Sequence, residues 1–89
     1  MILNFYCQYD RVSGIYSDLF PAVNDEVAVR SYRTFLSASQ VNVFNQFAND
    51  KEIYMIGTFN DQIGEFVPSK PRLLCRALDF AGGDRNDEV

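Results

Sequence analysis

The chain has 89 residues, 47% of them hydrophobic and 15% aromatic, and a formal net charge of −4. That length fits one domain. So small a domain buries only roughly 60% of the surface its unfolded chain exposes, and the eight Phe and five Tyr supply the dense core this demands and exclude a disordered chain. The charge is uneven: residues 1–78 sum to −1 and residues 79–89 to −3. A near-neutral body excludes tight, sequence-blind binding to duplex DNA, and leaves open weak or single-strand binding through aromatic residues.

Residues 2–9 alternate, with Leu3, Phe5, Cys7 and Tyr9 on one face and Asn4, Tyr6 and Gln8 on the other. A period of two rich in aromatics predicts a half-buried strand. Residues 10–14, DRVSG, predict a turn in which Gly14 supplies a positive φ. Ile15 to Phe20 predicts a second strand, ended by Pro21, which cannot donate to a ladder. Asn24 is a good N-cap, Asp25 and Glu26 suit the positive end of a helix dipole, and Ala28, Tyr32, Phe35 and Leu36 form one apolar stripe. Together these predict an amphipathic helix over 25–38. Residues 39–51 read as a short second helix or an extension of the first, then a loop at Asn49, Asp50 and Lys51.

A third strand is predicted over 52–59, with Ile53, Met55, Gly57 and Phe59 on one face and Tyr54, Ile56 and Thr58 on the other. Residues 60–64, NDQIG, predict a second turn, the same length as the first and closed by the same glycine. Glu65 to Val67 predicts a short fourth strand stopped by Pro68, and residues 71–80 one or two helical turns, with Leu74 and Leu78 four apart. The fold class expected is α+β: β-β-α-β-β, one antiparallel four-stranded sheet with one main helix on one face. Residues 1–80 form the domain and residues 81–89 an acidic, flexible tail.

The chain has no His, so the commonest general base and every Ser-His or Cys-His nucleophile pair are missing. Gly82 and Gly83 stand outside any strand–helix context, so no phosphate-cradling loop is present. Two cysteines without a C-x-x-C pair argue for reduced, buried thiols, with a disulfide as the alternative and zinc disfavoured. Asp10 and Asp61 each open a turn; side-chain capping of the turn accounts for both, against a paired-carboxylate metal site. The expectation is a protein that is no enzyme and takes no cofactor or metal. The first residues lack a basic n-region and reach charge by Asp10, which is too short for a secretory or membrane-spanning segment, so a cytosolic location is expected.

Two surface features remain. If Phe5 and Met55 face the helix, Tyr6 and Tyr54 point outward, joined by Tyr16. Exposed tyrosines on a sheet serve as a base-stacking platform, a dimer interface, or plain cross-strand packing. The basic residues Arg11, Arg30 and Arg33, and Lys70, Arg72 and Arg76 gathered after the fourth strand, suit phosphate contact or solvated ion pairing.

The segments YDRVSGIYSDLFPAVNDEVAVRSY and EIYMIGTFNDQIGEFVP carry a D-R-x-S-G-x-Y turn, an N-D-x-x-A-x-R helix start and a Y-x-I-G-x-F-x-x-x-x-G hairpin. In order and spacing, over residues 9–68, these motifs resemble the small nonstructural protein of gokushovirus-type microviruses, which are single-stranded DNA phages. The tail is longer than in that family, and Asn60 stands where Asp is common. The resemblance implies a nonstructural phage protein of the host cytoplasm that helps single-stranded genome synthesis or packaging, in part as a DNA binder. The residue pattern, and not the resemblance, supplies the candidate contacts Tyr6, Tyr16, Tyr54, Arg11, Arg30 and Arg33; the candidate partners are single-stranded DNA, a second copy of the chain, or a phage or host protein.

Overall fold

A computed structural model of the protein describes residues 1–38 and 50–77. Its elements run β1 (Ile2–Asp10), β2 (Ile15–Ala22), α1 (Asp25–Ala38), β3 (Lys51–Asn60) and β4 (Glu65–Arg76). The strands form one antiparallel sheet in the order β2-β1-β3-β4, so β1 and β3 are central and β2 and β4 are edges. The helix packs on one face. This is the expected β-β-α-β-β architecture.

Local chemistry sets the boundaries. Val27 donates its backbone N–H to the Asn24 side chain at 2.8 Å, closing the first helical turn. In the first hairpin Gly14, at φ +72°, donates to the Asp10 carbonyl at 2.7 Å, and the Asp10 carboxylate accepts from the amides of Val12 and Ser13. The second hairpin repeats this: Gly64, at φ +70°, donates to the Asn60 carbonyl at 2.8 Å, and the Asn60 side chain accepts from Gln62 N–H. The capping residue of the second turn is therefore Asn60. Asp61, expected to cap it, instead pairs with the amino group of Met1 at 2.9 Å.

Between sheet and helix lie Tyr6, Ala22, Ala28, Tyr32, Ile53 and Ala77, all buried, with Phe20, Val27, Met55, Leu74 and Cys75 packed against them. Tyr6 stacks on Phe20 at 5.6 Å between ring centroids. Its hydroxyl donates to Asp25 at 2.7 Å and accepts from Asn4, while the Tyr32 hydroxyl donates to Gln8 at 2.8 Å. These bonds satisfy phenols that would otherwise be costly to bury. Burial pushes both phenols above their ordinary pKa.

Three expectations are corrected. First, Tyr6 points into the core, 0% exposed, and Phe5 faces away from the helix. Alternation holds within β1 but breaks in β3. Phe5 pairs with Gly57 and Tyr6 with Met55, so Ile56 is an extra, bulged residue. Residues on either side of it swap faces: Ile53 and Met55 look toward the helix, Gly57 and Phe59 away from it. Second, β2 does not end at Phe20; it continues through Pro21 to Ala22, with a bulge at Asp18, whose φ is +57°. Third, β4 is not stopped by Pro68, and residues 71–76 are strand rather than helical turns. Both strands lie at sheet edges, where a missing N–H breaks no ladder bond. The expected second helical segment over 39–49 and the tail over 81–89 lie outside the described residues.

Candidate functional site

The face of the sheet away from α1 is lined by aromatic rings in two groups. Toward one end Phe5 meets Phe59 and Phe66 edge-on, at 6.0 and 5.8 Å between centroids. Toward the other end Tyr9, Tyr16 and Tyr54 converge. Tyr9 lies 4.6 Å from Tyr16 and 5.9 Å from Tyr54, and Tyr16 lies 6.0 Å from Tyr54. Strand pairing puts them there: Tyr9 faces Tyr16 across β1 and β2, and Tyr54 faces Cys7 across β3 and β1. Tyr16 is 48% exposed and Tyr9 and Tyr54 are half-buried, so the cluster offers ring surface to solvent.

A charged pair completes this end. Glu52 is buried, at 7% exposed, directly opposite Tyr9. Its carboxylate accepts the Tyr54 hydroxyl at 3.0 Å and the Arg76 Nε–H at 3.3 Å. Those two donors offset the cost of removing a carboxylate from water. Burial, and then the Glu52 carboxylate, push the Tyr54 phenol above its ordinary value, so it stays a neutral donor at physiological pH.

The residues expected from the sequence divide by face. Tyr16 and Tyr54 meet in the cluster, and Arg11 stands in the β1–β2 turn at the same end of the sheet. Tyr6 is in the core. Arg30 and Arg33 are exposed on α1, on the other side of the sheet from the tyrosines. Two members escaped the sequence reading, Tyr9 and Glu52, while Arg76 was read as part of a basic group after the fourth strand, apart from the tyrosines. The parity of β1 placed Tyr9 with Cys7, which was the signal for it. Glu52 and Arg76 become neighbours only because β4 continues past Pro71, and no local pattern announces that.

Among the described residues no group of three or more His, Cys, Asp or Glu is placed to hold a metal ion. Cys7 and Cys75 are free and belong to opposite faces of the sheet. Burial pushes the Cys7 thiol up, away from the thiolate that nucleophilic chemistry needs. A groove of about 330 Å³ also opens between α1 and β2, lined by Gln8, Asp18, Leu19, Phe20, Tyr32 and Phe35. Its lining is mostly apolar, with Ser31, the Tyr32 hydroxyl and the Gln8–Asp18 hydrogen bond at 3.1 Å as polar parts. No helix among the described residues is long and apolar enough to cross a membrane.

The chain matches no curated protein and no solved structure. A family model described as phage ORF5 protein matches residues 3–80, a span that takes in both hairpins, the helix and every residue of the tyrosine site. The chain therefore belongs to the phage ORF5 protein family.

Proposed function

We propose that this chain is a non-enzymatic accessory protein of a gokushovirus-type, single-stranded DNA phage. It acts in the host cytoplasm by binding single-stranded DNA during genome replication or packaging. The observation that carries the reading is the convergence of Tyr9, Tyr16 and Tyr54 on the sheet face opposite the helix, with centroids 4.6 to 6.0 Å apart. Aromatic rings on the strands of an open sheet present π-faces on which successive bases stack, whatever their identity. The near-neutral body fits a binder that gains affinity from stacking more than from charge.

The test is fluorescence anisotropy of a labelled single-stranded oligonucleotide at low and physiological salt. Tyr54→Ala is expected to weaken binding by about 1–3 kcal/mol, the loss of one stacked base. Tyr54→Phe, which keeps the ring and loses only the hydroxyl bond to Glu52, is expected to bind nearly as well as the parent. Parent-like binding by Tyr54→Ala sinks the stacking reading.

A second reading, a protein–protein module that pairs with its own copy or with a phage or host protein, is favoured by the other half of the same face. There Leu3, Phe5, Phe59 and Phe66 form an apolar surface, of which Phe66 alone is 41% exposed. Such a surface usually acquires cover. Absence of oligonucleotide binding even at low salt would make this the better account.

A further inference from the structure

We propose that Arg76, held against the open sheet face by Glu52, is the phosphate-contacting cation of the tyrosine site. This deepens the single-strand-binding reading and rests on it. The argument starts from register. Tyr16 pairs with Tyr9, Tyr9 with Glu52, and Glu52 with Arg76, so these four residues form one row across all four strands. Residues directly opposite on neighbouring strands share a face. The guanidinium therefore lies on the tyrosine side of the sheet, at its β4 edge.

The other cations at matched strand positions go elsewhere. Arg72 pairs in register with Met55 and binds Asp25 at the start of α1, on the helix side. Lys51 is held by Asp10 at 2.8 Å, also in register with the helix-facing residues. Arg30 and Arg33 sit on α1 itself.

The chemistry of the pair favours positioning. The Glu52 side chain is 9% exposed and that of Arg76 54%, so the carboxylate is the fixed member and the guanidinium the outward one. A guanidinium carries five N–H donors in a planar fork. The fork matches phosphate geometry, and Arg holds less of its hydration than Lys. Glu52 also accepts the Tyr54 hydroxyl, so a single carboxylate sets both a stacking ring and the cation beside it. Glu52 is a positioning residue, and Arg76 is the one that touches nucleic acid.

The experiment is the anisotropy titration with a labelled oligothymidylate, repeated across a salt series. It compares the parent with Arg76→Gln, Arg76→Lys and Arg30→Gln. Glutamine keeps an amide donor for Glu52 and removes the charge, so Arg76→Gln is expected to flatten the slope of log K against log salt by about 0.7, the contribution of one single-strand phosphate. Arg76→Lys is expected to keep the parent slope, and Arg30→Gln to leave it unchanged. If Arg76→Gln alone fails to fold, the double variant Glu52→Gln, Arg76→Gln leaves no buried charge and must show the same flattening. An unchanged slope in the folded variant, with Tyr54→Ala still weakening binding, overturns the assignment of Arg76 and leaves the stacking reading standing. A parent protein that binds no oligonucleotide at low salt overturns both.

Discussion

Gly57 lies where strand parity inverts, and its lack of a side chain is what lets the aromatic face close. It pairs with Phe5, and a β-carbon added to it would come within 2.6 Å of both the Phe66 ring and the Val67 carbonyl. The ring could swing aside, but the carbonyl is backbone of the adjoining strand and moves only with that strand. Gly57→Ala is therefore expected to destabilise the fold by about 1–3 kcal/mol, the usual cost of overfilling a packed site. It should also pull Phe66 away from Phe5. Urea denaturation measures the first effect, and ring-current shifts of the Phe5 protons the second. A Gly57→Ala protein with the parent midpoint would mean that β4 is not seated on β3 at this point.

The two hairpin elements have one turn geometry and differ in one charge. In the first, Lys51 above all, then the amides of Val12 and Ser13, hold the Asp10 carboxyl below its ordinary pKa. In the second, Asn60 does the same capping uncharged. A carboxyl whose folded pKa is depressed contributes stability that is present above its unfolded value of about 3.9 and is lost as pH falls through the folded value. Acidification should thus loosen the first turn and spare the second. Asp10→Asn, which keeps the acceptor and removes the titration, should shrink the difference between urea midpoints at neutral and acid pH. An unchanged pH dependence would show that Asp10 is not what acid acts on. These turns and the helix were legible in the sequence because short-range chemistry decides them: the Asn24 side chain accepting the Val27 amide at the cap, glycine at positive φ, an acidic first turn. The edge strands were not. Pro21 and Pro68 read as stops, and only membership of a sheet edge turns them into tolerated strand residues. The facing of Tyr6 failed for a related reason. Alternation gives two sets of residues and cannot say which set meets the helix, and the bulge at Ile56 mixed the sets within β3. The tyrosine site was accordingly legible in Tyr16 and Tyr54, and hidden in the cross-strand contacts of Tyr9, Glu52 and Arg76.

At the scale of the whole molecule the decisive quantity is charge, and it limits what kind of nucleic-acid binder this fold can be. Residues 1–78 sum to −1, and two of their arginines, Arg30 and Arg33, sit on the layer away from the tyrosines. At the tyrosine end stand Arg76 on the face and Arg11 in the adjoining turn, with Lys51 ion-paired to Asp10 on the helix side. Each phosphate neutralised on a single strand adds about 0.7 to the magnitude of the salt slope, so the parent protein should show a slope of only about 1 to 2. Affinity would then come mostly from stacking, fall modestly between low and physiological salt, and respond more to Tyr54→Ala than to ionic strength. A slope steeper than about 4 would require more phosphate contacts than this end of the sheet has cations to make. The helix side, with Arg30, Arg33, Arg72 and Lys51, has too few cations for it as well, so such a slope would overturn the stacking-led reading. The salt series therefore decides whether stacking or charge carries the binding, before any variant is made.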